Sequence, residues 1–240
     1  MRALTRYVYA SSGITLVLLL CGCAGTPFNR GAPGPEVPAP TLHVGDRWVY
    51  HGVDGFRAKT EWDESHEVTA MDASGITVRV VRKGPRVDIQ RTEKWQMPGT
   101  VTEGAVFETE SATFDPALLR YRYPLTTGTL WTQFIRDTQR PEGNPYGVIT
   151  RWVSVEGYDK ISTPAGTFDA IRLNITMILD DETFWRYPTR CVYTVWYAES
   201  VGAVVQEHKR SQYTEKGGGN EAAYHPVQET EIKLVSFARG

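Results

Sequence analysis

Between Ile171 and Leu179 every second residue is apolar: Ile171, Leu173, Ile175, Met177 and Leu179 share one face, and Arg172, Asn174 and Thr176 share the other. A two-residue period of this kind is that of a β-strand with one dry and one wet face. Less strict runs of the same character occur at Arg47 to His51, Ile76 to Val81, Val148 to Val155, Val192 to Tyr197, Val204 to Glu207 and Ile232 to Phe237. β-Branched and aromatic residues, which suit a pleated surface, fill them. No stretch sustains the 3.6-residue period of a helix. Asp115-Pro116-Ala117-Leu118-Leu119 alone predicts a short helical turn, capped by Asp115.

Turn chemistry separates the runs at Asp72-Ala73-Ser74-Gly75, Gly84-Pro85, Thr163-Pro164-Ala165-Gly166, Asp180-Asp181-Glu182 and Gly217-Gly218-Gly219-Asn220. In Thr163 to Gly166, Pro164 suits position i+1 of a type I turn and Gly166 can take the left-handed conformation that restarts a strand. Lys160-Ile161-Ser162 is therefore predicted to pair with Thr167-Phe168-Asp169. The expected fold is mainly β, with little helix: an extended, curved antiparallel sheet, half-barrel or sandwich, in one domain over residues 42 to 240. A short echo, Gly45-Asp46-Arg47-Trp48 and Gly128-Thr129-Leu130-Trp131, enters a strand each time. It is open to two readings, similar halves or coincidence.

The amino terminus has a different pattern. Arg2 and Arg6 precede an uncharged stretch whose most apolar part is Ile14 to Leu20, the order of a secretory signal. Directly after it comes Leu20-Cys21-Gly22-Cys23-Ala24, which resembles the lipobox of bacterial lipoproteins: Leu, two small residues, then the Cys that is acylated. The resemblance implies cleavage before Cys23, loss of residues 1 to 22, and a diacylglycerol on the Cys23 thiol. Several chains anchor where one is marginal, since each buried methylene contributes about 0.8 kcal/mol. The rival reading is an uncleaved signal anchor, because Tyr7 to Ala24 spans 18 residues; Ser11, Ser12 and Gly13 weaken that helix. In lipoproteins of double-membrane bacteria, an Asp after the acylated Cys favours the inner membrane. Ala24 therefore implies the outer one, facing the periplasm.

Residues 23 to 41 hold the acylation site and then Pro27, Pro33, Pro35, Pro38 and Pro40 with Gly25, Gly31 and Gly34. In polyproline conformation, residues 24 to 41 would reach about 55 Å at about 3.1 Å each, a spacer above the headgroups.

The 26 basic and 28 acidic side chains give a formal charge of -2. Removing residues 1 to 22 takes two arginines and no acid, leaving 24 basic against 28 acidic, a formal -4. No basic surplus exists to neutralise a nucleic-acid backbone, so DNA and RNA are not expected partners. Of three cysteines, one departs with the signal and one is acylated, which leaves Cys191 without an intramolecular partner. Within a strand-like run it reads as a small buried hydrophobe. The alternative, in an oxidising compartment, is a reactive or intermolecularly paired thiol.

A second resemblance covers residues 120 to 210. Tyr123-Pro124-Leu125 leading to Gly128 and Trp131, then Ser162 to Ala170, Trp196-Tyr197-Ala198 and Val201-Gly202-Ala203-Val204 are similar to a group of uncharacterised bacterial periplasmic proteins with an extended antiparallel sheet. By architecture that likeness extends to lipid-binding half-barrels of the envelope. The shared positions are turn and core positions.

Catalytic signatures are missing. His43, His51, His66, His208 and His225 are scattered singly, without metal-ligand spacing, although His51 and His66 are placed to meet across strands. No G-x-S-x-G or phosphate-binding loop occurs. No metal or other cofactor is expected. The acidic clusters Glu61, Asp63, Glu64, Glu67 and Asp180 to Glu182 read as solvated surface, as do the basic residues of the excess over positions 79 to 94. Among the seven tryptophans, Trp152 and Trp196 sit in strand patterns and read as core, whereas Trp62, Trp95 and Trp185 lie among polar residues and are the candidates for a ligand groove or partner surface. The leading expectation is a non-enzymatic, membrane-anchored envelope lipoprotein whose sheet binds a lipid, glycan or envelope protein. The rivals are an accessory docking subunit of an outer-membrane assembly or export complex, and a hydrolase with dispersed catalytic residues.

Overall fold

The computed structural model describes residues 31–56, 60–106, 111–138, 148–180, 184–216 and 223–240. The signal, the lipobox residues Leu20, Cys21, Gly22 and Cys23, and the Gly217 to Gly219 tip lie outside the described residues.

Twelve strands follow one another: β1 (Arg47–Asp54), β2 (Thr60–Asp72), β3 (Gly75–Gly84), β4 (Val87–Met97), β5 (Thr100–Gly104), β6 (Ala112–Leu119), β7 (Leu130–Asp137), β8 (Val148–Thr163), β9 (Gly166–Leu179), β10 (Thr189–Ala198), β11 (Ala203–Thr214) and β12 (Tyr224–Ala238). Each pairs antiparallel with its neighbour in sequence, and β1 meets β12 from Arg47 opposite Ala238 to Asp54 opposite Thr230. The result is a closed barrel. The predicted antiparallel sheet is therefore present, and its curvature runs on until the two outer strands join. Closure gives every strand two hydrogen-bonded neighbours and removes the sheet edge.

Alternation sorts the side chains as in any sheet. In β9, Ile171, Leu173, Ile175, Met177 and Leu179 are buried inside the barrel. They pack with Val153, Val155, Val195 and Tyr197 in one apolar cluster, while Trp48, Val68, Val78, Val80 and Leu234 belong to a second. Outward faces carry ion pairs such as Arg79 with Glu67 and Lys160 with Asp169, both at 2.7 Å. A membrane-spanning barrel instead carries an apolar band on its outward face.

The predicted hairpin forms as read: Lys160, Ile161 and Ser162 face Asp169, Phe168 and Thr167, and Gly166 has φ 137°. Gly45 and Gly128, the first residues of the G-x-x-W echo, both have positive φ, and Trp48 and Trp131 are both buried. They lead into β1 and β7, each the first of six strands. Cys191 is fully buried beside Met177.

The expected helical turn at Asp115 to Leu119 is absent. These residues belong to β6, because Phe114 and Leu118 complete the apolar interior and Thr113 and Leu118 pair with β5. Pro116, which lacks an N–H, falls where the pairing with β5 is interrupted, so the ladder loses nothing there. Residues 31 to 41, read from composition as spacer, lie along the barrel. Ala32 bridges Tyr158, Val37 bridges Leu125, and Val37 is fully buried. Tyr158 Oη donates to the Pro35 carbonyl at 2.8 Å, fastening the segment from the side.

Candidate functional site

Inside the barrel lies a cavity of about 230 Å³ whose wall is apolar on one side and charged on the other. The charged side is built from inward positions of β2, β3 and β4. Alternation turns Glu64 and His66 of β2 inward, together with Arg82 of β3 and Arg91, Glu93 and Trp95 of β4. Arg120 and Tyr121 follow β6 directly, while Arg151 comes from β8 and Lys209 from β11.

These groups form a ladder of shared ions. Glu64 accepts from Arg82 Nε and lies 2.6 Å from His66 Nε2. Glu93 is only 1% exposed; its Oε2 accepts from Trp95 Nε1 at 3.0 Å and from Arg120 Nη1 and Nη2 at 3.1 Å each. Arg91 Nη2 bridges the two acids, 3.3 Å from Glu93 and 3.9 Å from Glu64. Burial by itself would raise both carboxyl groups. The opposing cations outweigh it, holding Glu93 at about 2 through Arg120, His66 and Arg91. Glu64 is held lower still, by His66, Arg82 and Arg91. Both are ionised at neutral pH.

Arg151 has a different setting. It is 5% exposed, in a row with Ile149, Val153 and Val155. Its Nη1 donates to the Leu119 carbonyl at 2.8 Å and its Nη2 to the Arg120 carbonyl at 3.0 Å. Burial, with the Arg120 cation adding to it, lowers Arg151 to about 10. Burial likewise lowers Lys209, whose ammonium sits 5.6 Å from the Tyr193 ring centre. Tyr121, Tyr123 and Tyr197 cluster with ring centres 5.6 to 6.0 Å apart. Desolvation raises Tyr121 to about 12, so its phenol remains a proton donor.

The three candidate tryptophans go to three different places. Trp62, expected in an exposed groove, is buried within the barrel, with its ring across Gly52 and beneath Arg82, whose guanidinium carbon is 4.8 Å from the ring centre. Alternation explains the correction, since Trp62 shares the inward row with Glu64, His66 and Val68. Trp95 lines the cavity and is half-buried. Trp185 is exposed on the surface, near Phe184 at 87% exposure and against Tyr213 at 5.6 Å. Trp152, read as core, faces outward and is exposed, and Trp196 donates to Asp159 at 2.9 Å.

Two charge readings are corrected as well. Glu64, assigned to solvent with its acidic neighbours, is buried, whereas Asp63 points outward beside His51. His51 and His66 therefore lie on opposite faces and do not meet. The basic excess of residues 79 to 94 is split by the pleat: Arg79 and Lys94 are outside, Arg82 and Arg91 inside. Among the described residues no three His, Cys, Asp or Glu side chains converge as for a metal ion. The polar cavity itself was missed from the sequence. Two signals were present: an arginine in the otherwise apolar inward row of β8, and Arg91, Glu93 and Trp95 at every second position.

No protein-family model matches the chain, and no curated protein matches it. Two solved structures are similar over 85% of this chain and the whole of theirs: a candidate lipoprotein from Parabacteroides distasonis at 14% identity and TM-score 0.43, and a candidate exported protein with a YmcC-like fold from Bacteroides fragilis at 10% identity and TM-score 0.42.

Proposed function

We propose that this chain is a non-enzymatic lipoprotein of the bacterial envelope, acylated on Cys23 and facing the periplasm from the outer membrane, whose barrel binds a small amphipathic molecule. The observation that carries the binding part is the cavity inside the barrel with one apolar and one charged wall, the usual make-up of a small-molecule site. The lipobox spacing at Leu20 to Cys23 supports the anchor. Against catalysis stands the state of the convergent acids. A general acid needs a raised pKa, and Glu64 and Glu93 are both lowered and tied to guanidinium groups.

The test is expression of the full precursor in a Gram-negative host, followed by membrane fractionation and native mass spectrometry. The expected product has lost residues 1 to 22, carries acyl mass on Cys23, moves to the soluble fraction as Cys23→Ala, and retains a small ligand. Full precursor mass without acylation refutes the anchor. A ligand-free barrel that takes up no amphiphile refutes carriage.

One observation favours docking as a second reading. Phe184, Trp185, Tyr187 and Tyr224 are exposed together with cationic neighbours, Arg186 over Trp185 and Lys216 over Tyr187. Exposed aromatics of this kind suit a partner surface. If this reading holds, replacing Phe184 and Trp185 with Ser abolishes partner capture and leaves ligand uptake intact.

A further inference from the structure

The charges of the cavity wall do not balance. Arg82, Arg91, Arg120, Arg151 and Lys209 face Glu64, Glu93 and Glu207, five basic groups against three acidic, before His66 is counted. The deficit falls on particular atoms. Arg151 is bound only through two backbone carbonyls and forms no ion pair among the described residues. Arg91, with a side chain 9% exposed, has its Nε and Nη1 without an acceptor among the described residues. Its Nη2 shares Glu64 with Arg82 and Glu93 with Arg120. A buried cation without a counter-charge is strongly unfavourable, and so is a buried donor without an acceptor. An anion delivered into the cavity would relieve both.

The apolar wall adjoins two cations of the cavity, Arg151 and Lys209. Arg151 lies directly opposite Met177 across β8 and β9, and in the next inward row Val153, Ile175, Tyr193 and Lys209 stand side by side. Arg151 thus stands on the β8 side of the first row and Lys209 on the β11 side of the second. A volume of about 230 Å³ is below the roughly 300 to 1,000 Å³ of pockets that enclose drug-sized ligands, which suits one acyl chain better than the two of a phospholipid.

We propose that the cavity is a site for a single-chain anionic amphiphile, its acid group at Arg151 and Arg91 and its chain along Ile175 and Met177. The inference rests on the carriage reading above and names its ligand class. The acid is a carboxylate or a phosphate monoester, two sources of the same chemistry.

The test is calorimetric titration of the mature full chain in phosphatidylcholine nanodiscs, with empty discs subtracted, using decanoate, decyl phosphate, 1-decanol, acetate and inorganic phosphate. Decanoate or decyl phosphate is expected to bind at least about tenfold more tightly than decanol, the ratio that one charge-assisted contact supplies. Whichever acid binds better identifies the headgroup. Acetate and phosphate alone should bind weakly. Arg151→Met and Arg91→Met should each bring acid affinity down towards that of decanol. Equal binding of acid and alcohol would overturn the anion site and leave carriage standing. Inorganic phosphate binding as tightly as decyl phosphate would make this a small-anion site and overturn the amphiphile. No binding by any probe would overturn carriage as well. Should either variant fail to fold, the wild-type comparison of acid with alcohol decides the question.

Discussion

Glu93, 1% exposed, is buried more deeply than Glu64. Its lowering from 4.5 to about 2 corresponds to about 3 kcal/mol of folding stability at neutral pH, taking about 1.36 kcal/mol per tenfold. Glu93→Gln keeps the shape and removes the charge, leaving Arg91 and Arg120 without their shared acid. That loss matches the roughly 3 to 5 kcal/mol seen when one partner of a buried pair is deleted. Because the folded-state pKa is depressed, the contribution is complete above the unfolded value of 4.5 and disappears as pH falls towards 2. By about pH 3 roughly 2 of the 3 kcal/mol are gone. Equilibrium urea unfolding of wild type and Glu93→Gln at pH 7, 5, 4 and 3 should therefore give two stability curves that converge on acidification. A difference under about 1 kcal/mol at pH 7, or one that stays constant to pH 3, would refute the assignment of Glu93 as a buried counter-ion.

Three other predictions concern packing. Gly52→Ala should destabilise by about 1 to 3 kcal/mol in thermal unfolding, because a Cβ there would stand 2.3 Å from the Trp62 ring; Gly55→Ala, with nothing within 4 Å of its Cβ, is the neutral control. Gly157→Ala places a Cβ 2.6 Å from the Gly31 carbonyl oxygen, so the amides of Ala32 and Val37 should exchange faster in hydrogen-exchange mass spectrometry while those of β9 stay protected. Cys191, fully buried, should resist a thiol reagent in the native mature chain and react in denaturant; rapid labelling of the native form would show the interior to be open.

How far the fold can be read from the sequence depends on what each strand faces. β1, β3, β8, β9, β10, β11 and β12 each contain one of the apolar runs, since their inward rows meet the two apolar clusters. β2 and β4 escape the same test because their inward rows carry Glu64, His66, Arg91 and Glu93. Polar residues then occupy both faces, and the alternation that reveals a strand vanishes where the cavity is. β6 misleads for another reason: Asp115 before Pro116 is good local chemistry for a helix start, and tertiary pairing overrides it. Closure is likewise invisible in any one strand, because the contact between β1 and β12 joins residues nearly 200 positions apart.

That last contact needs both ends of the folded chain. A chain emerging amino terminus first can zip each hairpin onto the one before, but its opening strand must wait, half-satisfied, for the final one to arrive. Asp46 secures the junction, accepting from the Gly240 amide at 3.0 Å and pairing with Arg239 at 3.4 Å. A product shortened by even this last strand would be left with two naked borders, and quality control would meet a sticky open ribbon instead of a finished cylinder.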